Sequence, residues 1–308
     1  MSADILNRFL FPVASVRGEL VHLDESWCMV LERHDYPETV RNQLGQMMVA
    51  SALLTATIKI SGSIIMQVQG DGPISLLVVE CRPKNLGEEN EAEEDTGEAW
   101  RSRYELRGMA QWNGEVPAGD LAANFGSGRL VITIDPGPGM ERYQGIVELT
   151  GTTLAEAIDA YLERSEQLPT RMWLAADGQQ AAGLLLQRLP GTEADEEHWH
   201  RLTTLAATIT DKELLELEGR EVLHRLFHEE DLQLFPEEPV RFHCSCSRER
   251  VANLLRGMGL DEILDIVRTE GAVEVNCEFC NMHYRFDAVD AQQLFVEQPQ
   301  PEVGKTRH

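Results

Sequence analysis

The chain is expected to be an α+β protein in three parts: a mixed N-terminal domain of β-hairpins around a buried helix, a helical linker, and a small cysteine-bearing C-terminal domain. Three observations lead there. β-rich runs punctuated by Gly/Asp/Pro turns recur through residues 1–190. Residues 192–240 then change to apolar-striped helical patterns with 4 Lys/Arg against 14 Asp/Glu, a net charge of −10. Beyond residue 241, four of the six cysteines fall as Cys244-x-Cys246 and Cys277-x-x-Cys280. The expected parts are therefore 1–190, 191–240 and 241–308.

In the first part, Gly18 to Leu31 alternates irregularly and reads as strands. Pro37 fits the first position of a helix that runs to about Thr57, apolar nearly all round at Met47–Ala50, Leu53 and Leu54, and hence a buried central helix. Ser63–Gln69 and Ile74–Glu80 flank the turn Gly70-Asp71-Gly72-Pro73 and read as a hairpin. Seven acidic side chains between Glu88 and Glu98 read as a solvated loop. Strands follow near Arg103–Trp112, Leu130–Ile134 and Tyr143–Leu149. Thr153 and Glu156 form a capping box for a helix from Leu154 to about Arg164. Met172–Ala176 and Ala182–Leu189 make a last hairpin around Asp177-Gly178, and Pro190-Gly191 marks the boundary.

The linker reads as two helices. One runs from about Glu193 to Thr208, capped by Thr192, with Trp199, Leu202 and Leu205 on one stripe. The other starts at the capping box Thr210…Glu213, carries Leu215, Val222, Leu223, Leu226 and Phe227, and is ended by Pro236 and Pro239. An apolar stripe beneath a self-repelling polar face needs a surface to lie on, because short helices are marginal alone. In the last part, helices are expected at Arg248–Arg256 and Leu260–Val267. Strands are expected at Ala272–Asn276 and Met282–Phe286, a helix capped by Asp287 runs to about Val296, and the tail Gln298–His308 frays.

The 308 residues suffice for a real core, hiding roughly 75% of the unfolded surface. The formal charge of −25 disfavours nucleic acid and anionic membranes as partners. Residues 241–290 hold 6 Lys/Arg against 9 Asp/Glu, so the cysteine domain has no basic face either. No apolar run approaches a membrane span, and the N-terminus lacks signal-peptide character. A cytoplasmic location is the expectation.

In a reducing compartment the two cysteine pairs read as a zinc site, with Cys244, Cys246, Cys277 and Cys280 as ligands. A Cys-x-x-Cys turn between strands aims two sulfurs at one ion, and the Cys-x-Cys completes a closed tetrahedral set with no open position for hydrolysis. His243 and His283 flank the cluster and are expected outside the ligand set. A purely structural ribbon would satisfy the spacing. Clustered thiolates are also open to peroxide, however, and each pair is close enough in sequence to form a local disulfide. Oxidation would then remove ligands, metal and folding energy together, making the site a reversible switch. Cys28 and Cys81, with apolar neighbours, read as inert thiols, and His34 before the Pro37 helix reads as a capping or packing residue. No P-loop, GxSxG, HExxH or GxGxxG pattern occurs. The Cys277–Cys280 motif opens no helix and so is unlike thioredoxin's.

Several motifs together resemble the heat-shock protein 33 family, redox-regulated holdase chaperones of bacteria. They are VRGELVHL at Val16–Leu23, HDYPETV at His34–Val40, QVQGDGPISLLVVE at Gln67–Glu80, SEQLPT at Ser165–Thr170, GLLLQRLP at Gly183–Pro190, LHRLFHEED at Leu223–Asp231, CSCSRERV at Cys244–Val251 and CEFC at Cys277–Cys280. Only the acidic stretch near Glu88–Glu98 departs, as an insertion. The resemblance implies one Zn²⁺ on the four cysteines in an inactive reduced form. It implies zinc loss and disulfides Cys244–Cys246 and Cys277–Cys280 under peroxide or hypochlorous acid, followed by unfolding of the zinc domain and linker. It further implies ATP-independent holding of unfolding client proteins, a non-enzymatic role, and an active form that is often dimeric, the reduced form being monomeric. The linker residues Leu215, Val222, Leu223, Leu226 and Phe227 are expected to become the client-binding surface. Two other classes remain: a constitutive zinc-stapled protein-binding module, and a thiol–disulfide oxidoreductase using Cys277 and Cys280.

Overall fold

A computed structural model describes residues 4–58, 61–84, 103–137, 139–165, 167–189 and 196–295. The chain divides into two compact units, Met1–His243 and Cys244–His308. Helix and strand are mixed throughout, as an α+β class requires. In chain order the first unit holds β1 (Ile5–Phe11), β2 (Val16–Leu23), α1 (Glu25–Leu31), α2 (Glu38–Thr57), β3 (Ser63–Gln69), β4 (Ile74–Pro83), β5 (Tyr104–Trp112), α3 (Leu121–Phe125), β6 (Arg129–Asp135) and β7 (Tyr143–Glu148). It continues with α4 (Leu154–Ser165), β8 (Thr170–Ala176), β9 (Ala181–Arg188), α5 (Glu196–Ala206), α6 (Asp211–Glu216), α7 (Gly219–Phe227), β10 (Gln233–Leu234) and β11 (Glu238–Phe242). The second unit holds α8 (Arg248–Met258), α9 (Leu260–Glu270), β12 (Val273–Asn276), β13 (His283–Phe286) and α10 (Ala288–Leu294).

The strands of the first unit join in one sheet of order β7-β6-β3-β4-β5-β11-β1-β2-β9-β8, with β10 also on β1. Neighbours are antiparallel except β11 and β5, which run parallel. One face packs on α2, whose Leu44, Met47, Met48, Val49 and Leu53 are fully buried, so its nearly all-round apolar character follows from lying inside the main core. The opposite face of β1, β2 and β9 presents Phe9, Phe11, Val16, Leu20, Ala182, Leu184 and Leu186 to a second apolar cluster, completed by α5, α6 and α7. Strand β9 is thus covered on both sides, and seven of its eight residues are buried.

Three local readings of the sequence are corrected. The run from Gly18 to Leu31 is a strand only to Leu23 and then turns into α1. The cause is remote: the Asp4 carboxylate accepts hydrogen bonds from the backbone N–H groups of Asp24 (2.5 Å) and Ser26 (2.7 Å), capping that helix. The second linker helix is two helices. Leu217 and Glu218 adopt extended backbone, and Gly219, a poor helix former, opens α7, so both Leu214 and the Val222–Phe227 stripe reach the sheet. Pro236 and Pro239 do not end the helix, which stops at Phe227. The chain there enters the sheet as β10 and β11, with the Pro239 carbonyl accepting from Arg103 N–H at 2.8 Å. The acidic run near Glu88–Glu98, the Pro190-Gly191 boundary, Thr192, Glu193 and the tail beyond Gln298 lie outside the described residues.

Candidate metal centre

Each ligand is placed by a separate piece of local chemistry. Chain leaving β11 reaches Cys244 and Cys246, and Ser247 then caps α8 by accepting from Arg250 N–H at 3.2 Å. Strand β12 delivers Cys277, whose N–H bonds the Met282 carbonyl (3.0 Å), while Asn281 N–H bonds the Cys277 carbonyl (2.7 Å). Asn281 takes the left-handed backbone conformation (φ 53°), which Asn tolerates and which folds the Cys-x-x-Cys turn back into β13. Around this hairpin, Leu255, Ile263, Val267, Val273, Phe286, Ala291 and Leu294 form a separate small core.

The four sulfurs all lie within 4.8 Å of one another. Sγ of Cys244 is 3.7 Å from Sγ of Cys277, and Sγ of Cys246 is 3.3 Å from Sγ of Cys280. A tetrahedron with metal–sulfur bonds of about 2.3 Å has edges of about 3.8 Å, so the donor set fits a four-thiolate ion site. Burial pushes the Cys277 and Cys280 thiols above their ordinary range. Four thiolates therefore coexist here only with a compensating cation. The six cysteines are all thiols, with no disulfide.

The Tyr284 hydroxyl donates to Sγ of Cys246 at 3.2 Å. That hydrogen bond is the main reason its own phenol is pushed up to about 12. Nothing in the spacing of the sequence singles out Tyr284; only the β12–β13 pairing brings it there. His283 is engaged through Nδ1 with Asn276 Oδ1 at 2.8 Å, and neither it nor His243 joins the cluster. Cys81 is fully buried and its thiol is pushed up to about 12 by that burial, while burial and nearby carboxylates also raise Cys28.

The five apolar linker residues are gathered on the second face of the large sheet. Val222, Leu223, Leu226 and Phe227 are buried there and Leu215 is partly buried. Phe227 meets Phe11 edge to face (ring centroids 5.0 Å apart) and Phe9 at 6.2 Å. Gly18 makes this possible: a side chain at that position would overlap the Phe9 ring lying across it. Further ties are polar. His22 Nε2 meets the Leu214 carbonyl at 2.9 Å, and within the linker Arg201 holds Glu230 and Arg225 holds Glu213.

A second polar cluster, invisible locally in the sequence, fastens the end of the linker. Glu238, on β11, accepts from Arg8, from Arg103 (2.8 Å) and from the Tyr104 hydroxyl (3.0 Å). Three residues on, Arg241 donates to Glu105, which Arg82 also holds at 2.8 Å. Burial alone would raise Glu105, but its bonds to Arg241 and Arg82 hold it below the ordinary carboxylate range. The partners of Glu238 lie as far as 230 residues away in sequence.

The family model described as Hsp33 protein matches residues 4–287. A protein of Nitrosococcus oceani named 33 kDa chaperonin is 48% identical over 305 residues, covering 99% of each chain. One of the same name from Methylobacillus flagellatus is 44% identical over 309 residues, again with 99% of each covered. Among solved structures, the 33 kDa chaperonin (heat shock protein 33 homolog) of Thermotoga maritima has the same fold, with a TM-score of 0.78 at 23% identity over 95% of this chain and 97% of that one. Among the described residues, no helix is long and apolar enough to cross a membrane.

Proposed function

The chain belongs to the Hsp33 family, and from that premise we propose that it is an ATP-independent chaperone switched on by oxidation. Its parts in this reading are a core domain (1–190), a releasable linker (191–240) and a zinc-binding switch (241–308). One observation carries the proposal. The four-sulfur cluster begins two residues after β11, and the chain just before β11 covers an apolar sheet face with its own apolar stripe.

In the reduced form Cys244, Cys246, Cys277 and Cys280 would hold one Zn²⁺, which neutralises thiolate charge and contributes roughly 10–16 kcal/mol of folding free energy to a domain with a small core. Oxidation balances as two thiolates, one peroxide and two protons giving one disulfide and two waters. Two such steps, pairing Cys244 with Cys246 and Cys277 with Cys280, consume all four ligands. The domain then loses its main source of stability. The linker, with its net charge of −10, leaves the sheet but stays in solution because it repels itself. Leu215, Val222, Leu223, Leu226 and Phe227, with the sheet face they covered, become available to unfolding clients. The oxidised protein is a homodimer and the reduced protein a monomer in this reading, and the site of action is the cytoplasm. The names of the relatives point to a role other than catalysis.

Light scattering of an unfolding client tests this. Peroxide-treated, zinc-free protein should suppress aggregation and the reduced, zinc-loaded protein should not. Equal suppression by both, or by neither, would leave only a structural zinc module. Catalytic turnover of a model disulfide without zinc would favour an oxidoreductase.

A further inference from the structure

Strand β11 does not extend the sheet at its rim; it fills a slot in the middle. On one side β1 receives β10 and β11 antiparallel, at Leu10–Gln233, Phe9–Leu234, Leu6–Glu238 and Ile5–Pro239. On the other side β5 receives β11 in parallel, at Tyr104–Val240, Glu105–Arg241 and Leu106–Phe242. The far edges of β1 and β5 are already taken by β2 and β4. The inserted chain is bonded from both flanks: Phe235 N–H to Arg8 O (2.9 Å), Val240 N–H to Asp4 O (3.0 Å), Arg103 N–H to Pro239 O (2.8 Å) and His243 N–H to Leu106 O (3.0 Å). Withdrawing it leaves two unpaired strand edges facing one gap.

The gap also has side-chain sockets. Val240 is 3% exposed and plugs the main core. Phe242 packs on that core under the Arg33 guanidinium, 4.7 Å from its ring centroid. Arg8, Arg103 and the Tyr104 hydroxyl make a basic socket for Glu238, and Glu105 makes an acidic one for Arg241. The pattern that fits is acid, any residue, aliphatic, base, aromatic.

We propose that this slot, once vacated, binds an extended segment of an unfolded polypeptide, inserted as a strand antiparallel to β1 and parallel to β5. The proposal rests on the linker release described above and names the site at which a client is gripped. The geometry itself selects for unfolded chains. An edge strand of a folded protein has one free edge, whereas this slot needs a strand with both edges unpaired. A released β11 segment of a second copy has the same two free edges and is the competing occupant, which displacement by an unfolded client tells apart.

The test uses the full-length protein, in a zinc-free peroxide-oxidised form and a reduced zinc-loaded form. The probe is a fluorescein-labelled peptide with the sequence of residues 232–243, read by anisotropy. The oxidised form should bind it at least about tenfold more tightly than a scrambled peptide, and permanently unfolded, carboxymethylated lactalbumin should displace it. The reduced form should bind neither. A peptide carrying Glu238→Lys should bind the oxidised protein about tenfold more weakly, and Arg103→Glu in the protein should restore part of that loss. If the oxidised protein suppresses client aggregation but does not distinguish the peptide from its scramble, the slot is not the client site, while the chaperone reading stands. If the peptide binds but unfolded lactalbumin does not displace it, the slot belongs to a second copy and the proposal fails. If oxidation yields no suppression at all, both readings fall.

Discussion

The imidazole of His22, on β2, is hydrogen-bonded through Nε2 to the backbone carbonyl of Leu214, on α6, at 2.9 Å. A carbonyl only accepts, so Nε2 carries a proton in the docked state. Burial holds the His22 pKa below its usual value of 6.5, against the opposing effect of the Leu214 bond. A released linker frees the ring to protonate near 6.5. Docking is therefore fully supported above that pH and weakens as pH falls below it, by up to about 1.4 kcal/mol per pH unit until the folded-state pKa is reached. Hydrogen exchange across Leu214–Phe227, corrected for intrinsic rates, should show falling protection from pH 7.5 to 5.5. In His22→Gln this dependence should flatten.

Glu19 behaves oppositely and reports on the core domain. It is 2% exposed, faces Arg17 and Arg8 with Glu238 beyond, and burial raises its pKa from 4.5 to about 7. Its favourable contribution is complete below 4.5 and is lost as pH rises through 7. Glu19→Gln should stabilise the core domain by about 2 kcal/mol at pH 8, seen as several degrees in Tm, and the gain should shrink toward pH 5.

Chelating the metal under reducing conditions separates loss of the ion from oxidation. Residues 244–294 should lose their dispersed amide NMR signals, because the small core around Phe286 and Leu255 cannot replace roughly 10 kcal/mol of metal binding. Added Zn²⁺ should restore them. Signals that stay dispersed without metal would show a domain stable on its own packing.

Phe227→Ala removes a ring packed against Phe9 and Phe11 and should weaken linker docking by about 3–5 kcal/mol. The expected result is faster exchange across Asp211–Phe227 and partial suppression of client aggregation without oxidant. A variant that loses protection yet never binds clients would separate linker release from activity.

Tyr284→Phe deletes the hydroxyl that donates to Cys246 and draws charge from its thiolate. Peroxide-driven zinc release, followed with a chromogenic chelator, should speed up by as much as about fivefold, the worth of one hydrogen bond near 1 kcal/mol. An unchanged rate would mean that attack at Cys246 does not limit release.

The fold class and most elements of this chain were legible because their causes are local: the all-round apolar run of α2, the turn at Gly70–Pro73, the capping box at Thr210 and the cap at Asp287. The four cysteines were legible because thiolate spacing carries its own chemistry. What escaped has remote causes. Asp4 turns Glu25–Leu31 into a helix, Arg8 and Tyr104 draw Glu238 into the sheet, and Tyr284 reaches Cys246 only across a hairpin. A proline after a helix signals its end, and no short window of sequence shows that the next few residues will find an open slot between strands one and five.

That slot has a consequence for synthesis. Strands β1 and β5 leave the ribosome long before β11, with roughly 130 residues between Trp112 and Phe242. At 5–20 residues per second, the interval is on the order of ten seconds. Throughout it the nascent sheet lacks the strand that pairs its two central edges in the finished fold. The newborn protein passes through the open arrangement first and is closed only when its last third is made.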